Sequence, residues 1–352
     1  MMETKRLRLI RLVGMVVFSF MLFPIGGAWA QQPQAKYHLK VGTVELADAA
    51  NTKGFEAFKA YCEGASGGEI KIDLYPANQL GSLDELFEGV KTGVYQICQG
   101  DETITGFYDP MLVLSIPYLF SNEYVVMRFF QSDFFQQLND GFAQKTGVRI
   151  LAATTYGFRC FTNSKRPIKS LDDMKGLKIR VQPVPVMMEL VKALGGSPTP
   201  ISWGELYSAL QQGVVDGQEN PPGLVYDSKF YEVQKYMTMD EHVLAFNLYY
   251  ANDKWYQALP ENIKKIFFVG SRLGADTEYA LRVYGNKVSI VKELEKKGME
   301  VYIPPQSLKD TFKQQAQKPV LDYLRGKIGG EMVDKALKTV SDIEAQIAKE
   351  AK

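Results

Sequence analysis

The chain has 352 residues, 46% of them hydrophobic and 23% charged, which is enough for two ordinary domains with their own cores. Its formal net charge is +1; removing an exported leader takes away Lys5, Arg6, Arg8 and Arg11 together with Glu3 and leaves −2, a near-neutral surface that argues against nucleic acid as a partner. Cys62, Cys98 and Cys160 are odd in number and match no metal-ligand spacing, so they read as small core residues, with one bridged pair left open.

Residues 1–30 have the form of a secretory signal peptide. A basic start is followed by an apolar stretch from Leu12 to about Ile25 and by Ala28-Trp29-Ala30. The apolar stretch is too short to span a bilayer, so export with cleavage after Ala30 is expected, and with it a periplasmic location.

Beyond the leader, HLKVGTVEL alternates like a strand. A helix follows around Ala49 to Ala65, where Phe55, Phe58 and Cys62 form one apolar stripe. EIKIDLYP alternates Ile70, Ile72 and Leu74. Ser82 and Glu85 make a capping box for a helix ending at Gly93, and VYQIC reads as the next strand.

The same β-α-β-α-β scheme returns later. VRILAATT is a strand, and Ser170 and Asp173 frame a short helix that stops at Gly176. KIRV is a strand, and VPVMMELVKAL is a helix ended by Gly195-Gly196. Ser202 and Glu205 suggest a second capping box, with Leu206, Ala209 and Leu210 as the buried stripe, and VVDGQEN is the last strand. Two such units imply an α/β fold of two α/β domains. From about Pro260 to Lys297 the pattern is helical almost throughout, long enough to reach across both domains, and the tail from Gln306 reads as covering helices.

In open α/β sheets ligands bind beyond the carboxyl ends of strands, which selects a short list of residues. Arg180 alternates against Ile179 and Val181 next to a strand end, and Arg159 lies between Phe158 and Cys160. A guanidinium matches a carboxylate as a planar fork; the alternative for either arginine is a structural Asp or Glu partner. Asn220, held extended before Pro221, presents two donors and an acceptor at the end of QEN; otherwise it caps a helix starting near the prolines. Trp203 is either a stacking floor for a ligand or a packing residue between helix and sheet. Asp101 and Glu102, with Thr103 behind them, either accept a hydrogen bond from a ligand hydroxyl or ammonium or belong to a solvated loop. Histidine occurs only at His38 and His242, and no nucleophilic, metal-binding or phosphate-loop motif is present, so an enzyme and a cofactor are not expected.

With these residues assembled, the run from GLKIRV through ALGGSPTPISWGELYSALQQGVVDGQENP to FYEVQKY resembles the solute-binding proteins of TRAP transporters, the tripartite ATP-independent periplasmic systems. LYPANQLGS, ELFEGVKTGVYQI and IPYLF match in order, so the resemblance covers the chain beyond the leader. It implies a Venus-flytrap clamp with a long helix spanning both domains, one built from 37–157 with 246–285 and the other from 158–245 with 286–340. It also implies capture of an organic anion, such as a C4-dicarboxylate or a 2-oxo acid, and delivery to membrane permease subunits. By the same resemblance Arg180 and Arg159 bind the ligand carboxylate, Asn220 assists, and Trp203 stands where many members carry phenylalanine. A receptor feeding a periplasmic sensor and a periplasmic lyase or hydrolase are the competing readings.

Overall fold

The computed structural model describes residues 35–351, apart from the side chains of Tyr284, Lys287 and Val288; the expected leader lies outside the described residues. The first strand, β1 (Tyr37–Gly42), leads into helix α1 (Ala50–Ala65), whose Phe55, Phe58 and Cys62 are buried as the stripe requires. Strand β2 (Ile70–Tyr75) pairs parallel with β1, Tyr37 opposite Ile70. Helix α2 (Leu83–Thr92) starts on the expected capping box: Ser82 Oγ accepts from Glu85 N, Glu85 Oε2 accepts from Ser82 N at 2.7 Å, and Gly93 closes the helix at φ 81°.

Strand β3 (Ile97–Gly100) begins later than the VYQIC pattern suggests and is hydrogen-bonded antiparallel to a distant strand instead of extending the β1–β2 pair. Two helices follow, α3 (Glu123–Phe130) and α4 (Asp133–Thr146), capped by Asn122 and Ser132 through their side chains.

Strand β4 (Val148–Asn163) is 16 residues long and nearly all buried. After it come β5 (Lys178–Val181), α5 (Pro185–Ala193), β6 (Ser197–Pro200), α6 (Trp203–Gln211), β7 (Gly217–Asn220) and α7 (Pro222–Asp227). Ser202 precedes α6 without a side-chain cap, so the expected second capping box does not form; a backbone bond from Glu205 N to Ser202 O closes that turn. The 17-residue strand β8 (Tyr236–Asn252) then pairs antiparallel with β4 along nearly its whole length, with register shifts near Ile150, Gly157 and Arg159.

This long pair organises the larger sheet, whose order is β3-β8-β4-β7-β5-β6. β3 joins β8 at Leu248–Ala251, whereas β7 joins β4 at its other end, Cys160–Asn163. The two groups of elements are therefore tied by continuous strands and not by a linker.

A short helix α8 (Asp253–Gln257) precedes α9 (Glu261–Tyr284), which packs on α1 and β4. One π-helical turn, Gly285–Ser289, carries the same helical run into α10 (Ile290–Lys296), which packs on α7 and on strand β9 (Glu300–Tyr302). The helical run thus passes from the first group of elements to the second, as the pattern over 260–297 predicts. Two final helices, α11 (Gln306–Ile328) and α12 (Gly330–Glu350), bury Phe312, Val320, Leu324, Val333 and Val340 against α5 and α3. Cys62, Cys98 and Cys160 are all buried and free, so the bridged pair left open by the sequence is absent.

Candidate functional site

Strand β5 ends at the centre of the second group, between β6 and β7. Its alternation buries Ile179 and Val181 in the apolar core and turns Arg180 to the opposite face, where it is 1% exposed. Nε of Arg180 donates to Ile201 O at 2.8 Å. Nη1 is buried with no hydrogen-bonding partner among the described residues. Burial draws this guanidinium down to about 10, the field of Glu219 opposing only in part.

Arg159, on β4, is in the reverse condition. Its Nε and Nη2 hold the Glu219 carboxylate, Nη2 also donates to Glu219 O at 2.7 Å, and Nη1 reaches Glu102 Oε1 at 3.3 Å. Burial opposes its charge, but the Glu219 and Glu102 carboxylates outweigh burial and hold its pKa above the ordinary arginine value. Glu219 accepts also from the ring of His242, whose Nε2 lies 3.3 Å from Oε2 and whose Nδ1 lies 2.8 Å from Asp240 Oδ2. His242 stacks on Phe161 at 4.3 Å between ring centroids. Although burial favours the neutral ring, the two carboxylates raise it to about 9.

Asp101 and Glu102 are buried, not solvated. Asp101 caps a 3₁₀ turn, accepting from Thr103 N at 2.9 Å and from Thr103 Oγ1 at 2.6 Å. Burial and the adjacent Glu102 raise its carboxyl to about 7. Glu102 gathers Arg159 Nη1, Tyr156 OH at 3.1 Å and Phe246 N at 3.1 Å. Both carboxylates accept from Gln182 Nε2, each at 3.2 Å.

Trp203, in the first turn of α6, is half-buried beside Phe230, with ring centroids 5.6 Å apart. It lines a cavity of about 50 Å³ together with Arg180, Gln182, Thr103, Val44 and Asn78. A second cavity of about 310 Å³ continues past it and shares Val44, Asn78, Trp203 and Gly204 with the first. Larger cavities, of about 430, 420 and 340 Å³, lie elsewhere and contain none of the predicted site residues. The small one matters more chemically, because two buried unpartnered polar atoms, Arg180 Nη1 and Gln182 Oε1, belong to residues that line it.

The structure thus brings Arg180 and Trp203 together on one cavity and attaches Arg159, Glu102 and Asp101 to it through Gln182. Asn220 sits apart from the cavity lining: one N–H goes to Gln218 Oε1, and Gln218 donates onward to Thr162 Oγ1 at 2.8 Å. Alternation along β7 puts Glu219 on the other face, so the three polar residues of QEN serve two networks. Gln182 and His242 were not among the predicted site residues. Gln182 lies two residues beyond Arg180, on the same side of an extended chain, and that spacing was the available signal.

A family model described as bacterial extracellular solute-binding protein, family 7, matches residues 41–326. A sialic acid-binding periplasmic protein of Vibrio cholerae is 32% identical over 274 residues, 78% of this chain and 84% of that one. Among solved structures, the sugar acid-binding protein of Advenella mimigardefordensis in complex with galactonate is 27% identical with a TM-score of 0.83, covering 88% of this chain and 99% of that one. A TRAP periplasmic solute-binding protein of a Polaromonas species bound to D-erythronate is 29% identical with a TM-score of 0.80, covering 86% and 98%. The chain belongs to this family of TRAP-type solute-binding proteins, with its two-domain α/β fold; its members are binding proteins of transport systems, not enzymes.

Proposed function

We propose that this family member captures a carboxylate-bearing organic acid in the periplasm, with Arg180 as the anchor, and hands it to the membrane permease of a TRAP system. One observation carries the reading: Arg180 is a buried cation whose Nη1 has no partner among the described residues, on a cavity lined from both sides by polar residues. Arg159 is neutralised by Glu219 and Glu102, so the uncompensated positive charge is that of Arg180. An incoming carboxylate supplies the missing acceptor and the missing charge together. Trp203 forms a wall, and Arg159, Glu102 and Asp101 hold the frame, while Asn220, outside the cavity lining, fixes Gln218.

In this reading 37–157 with 246–285 form one lobe and 158–245 with 286–340 the other, and the solute favours their closed arrangement because it touches both. Galactonate, D-erythronate and sialic acid, the ligands named for the three similar proteins described above, are carboxylates and support the anchor by analogy.

The test is a thermal-shift screen of refolded protein against dicarboxylates, 2-oxo acids and sugar acids, followed by calorimetry. A solute at a hundred times its dissociation constant adds about 2.7 kcal/mol to the folded state. Arg180→Lys should fold and lose most of the affinity, since an ammonium does not reproduce the fork. Unchanged affinity in that variant overturns the anchor.

A further inference from the structure

We propose that Gln182 selects the solute by accepting a hydrogen bond from a hydroxyl next to the bound carboxylate, so that the preferred class is a hydroxylated acid and not a plain dicarboxylate or a 2-oxo acid. The inference rests on the carboxylate-capture reading above and adds a second recognition point to it.

The side-chain amide of Gln182 has a settled orientation. Its nitrogen faces Asp101 Oδ2 and Glu102 Oε2, each at 3.2 Å. Turning the amide over would set its oxygen against two carboxylate oxygens, so the nitrogen stays on that side and Oε1 is left on the other. Gln182 is 8% exposed, and Oε1 is buried without a donor among the described residues. A buried acceptor in that condition is satisfied by a donor on the solute.

Around it the cavity lining combines acceptors with the guanidinium of Arg180. Arg180 Nη1 calls for an oxyanion. Thr103, whose hydroxyl hydrogen goes to Asp101 Oδ1 at 2.6 Å, turns lone pairs outward, and Asp84 also lines the space. A volume of about 50 Å³ admits a group of a few heavy atoms, about the size of a carboxylate with its neighbouring hydroxylated carbon. The rest of a longer acid runs past Trp203 into the adjoining cavity of about 310 Å³, half of whose lining is apolar. A 2-oxo or second carboxylate group would bring an acceptor against Gln182 Oε1 and leave it unpaired, which is the situation binding sites discriminate against most strongly.

The experiment is calorimetric titration of wild type and of Gln182→Met with aldonic acids of four to six carbons and with their 2-deoxy, 2-oxo and 2-amino counterparts. Wild type should prefer the hydroxy acid to its 2-deoxy and 2-oxo counterparts by about tenfold or more. In Gln182→Met that preference should collapse while a residual carboxylate affinity survives. The ligand series on wild type reads the selectivity whether or not the variant folds, and the unliganded melting point reports on the variant. Equal binding of hydroxy and deoxy acids, preference for a dicarboxylate, or an unchanged ratio in a folded Gln182→Met protein overturns the role of Gln182 while leaving the anchor intact; preference for the 2-amino acid overturns the hydroxyl as the group that donates to it. Binding of no acid at all overturns the carboxylate reading itself.

Discussion

Arg159 and Glu219 are joined at both ends of the glutamate: the guanidinium Nη2 donates to the carbonyl at 2.7 Å and to the carboxylate at 3.0 Å. Arg180, two strands away across β7, shares the burial and has no such partner among the described residues. Two arginines that look alike in sequence are therefore expected to behave oppositely. Removing one partner of a buried ion pair costs about 3–5 kcal/mol, so Arg159→Ala should lower unfolding stability by that order. Arg180→Ala removes an uncompensated charge and should leave the unliganded protein about as stable as wild type, or more so. Urea unfolding of ligand-free samples measures both. A large loss for Arg180→Ala would mean that its charge already has a structural counterpart.

That contrast marks what local pattern conveys. Alternation in KIRV is enough to predict that Arg180 leaves the apolar face, and the Ser82–Glu85 spacing predicts a cap that forms. It does not tell which carboxylate meets which arginine, because Glu219 and Glu102 come from strands and turns 60 and 57 residues from Arg159. The long partners β4 and β8 are similarly hard to read: both are buried on two faces, so period-2 alternation disappears just where the sheet is most central. Asp101 and Glu102 look like loop residues until β3 and β8 fold them inward, and Ser202 has the spacing of a cap without its geometry. Gln182 was legible in principle, as the next residue on the Arg180 side, but only the buried oxygen makes it more than a strand end.

His242 gives the site a pH signature in stability. Its folded pKa, about 9, lies above the ordinary 6.5 because Asp240 and Glu219 face it from either side. The folded state therefore binds the extra proton more tightly. Its contribution is complete below pH 6.5 and is lost as pH rises towards 9, by roughly 3 kcal/mol at most. Unfolding midpoints measured from pH 6 to 9.5 should fall across that window in wild type. In His242→Gln, less stable at neutral pH, the fall should be much shallower. A wild-type profile that is flat from pH 6.5 to 9 would show that the ring is neutral.

The three thiols should be silent in the native protein. Burial raises Cys62 and Cys98 to about 12, and burial with the nearby Asp240 and Glu241 holds Cys160 well above its ordinary value. Thiolate is the reactive form, so an aromatic disulfide reagent at pH 8 should titrate no cysteine in folded protein and three in urea. Reducing agent should leave the melting point unchanged. Rapid labelling of one cysteine at the same rate as a free thiol would reveal an opening that this geometry does not contain.

Gly157 has φ 110°, lies at a register shift in β4 and is paired with Ala245 of β8. A Cβ there would stand 2.5 Å from Asn286 Nδ2. Asn286 belongs to the π-helical turn, donates to Tyr156 O and accepts from Gly223 N at 2.7 Å. All three connections between the proposed lobes thus touch at one point, where a left-handed glycine and a π turn supply the backbone latitude a hinge needs. The bonds of Gln182 to Asp101 and Glu102 cross from one proposed lobe to the other. Asn286→Ala breaks both of its bonds without adding bulk, so it should loosen closure more than it disturbs either core. We expect roughly tenfold weaker solute affinity, a loss of about 1 kcal/mol in unliganded stability and a smaller solute-induced decrease in radius of gyration by X-ray scattering. Gly157→Val, which forces a branched side chain into left-handed backbone and against Asn286, should weaken binding further and shift the same radius. Wild-type affinity and compaction in both variants would place the hinge elsewhere along β4 and β8, and the pairing of Gly157 with Ala245 would then be a feature of sheet twist alone.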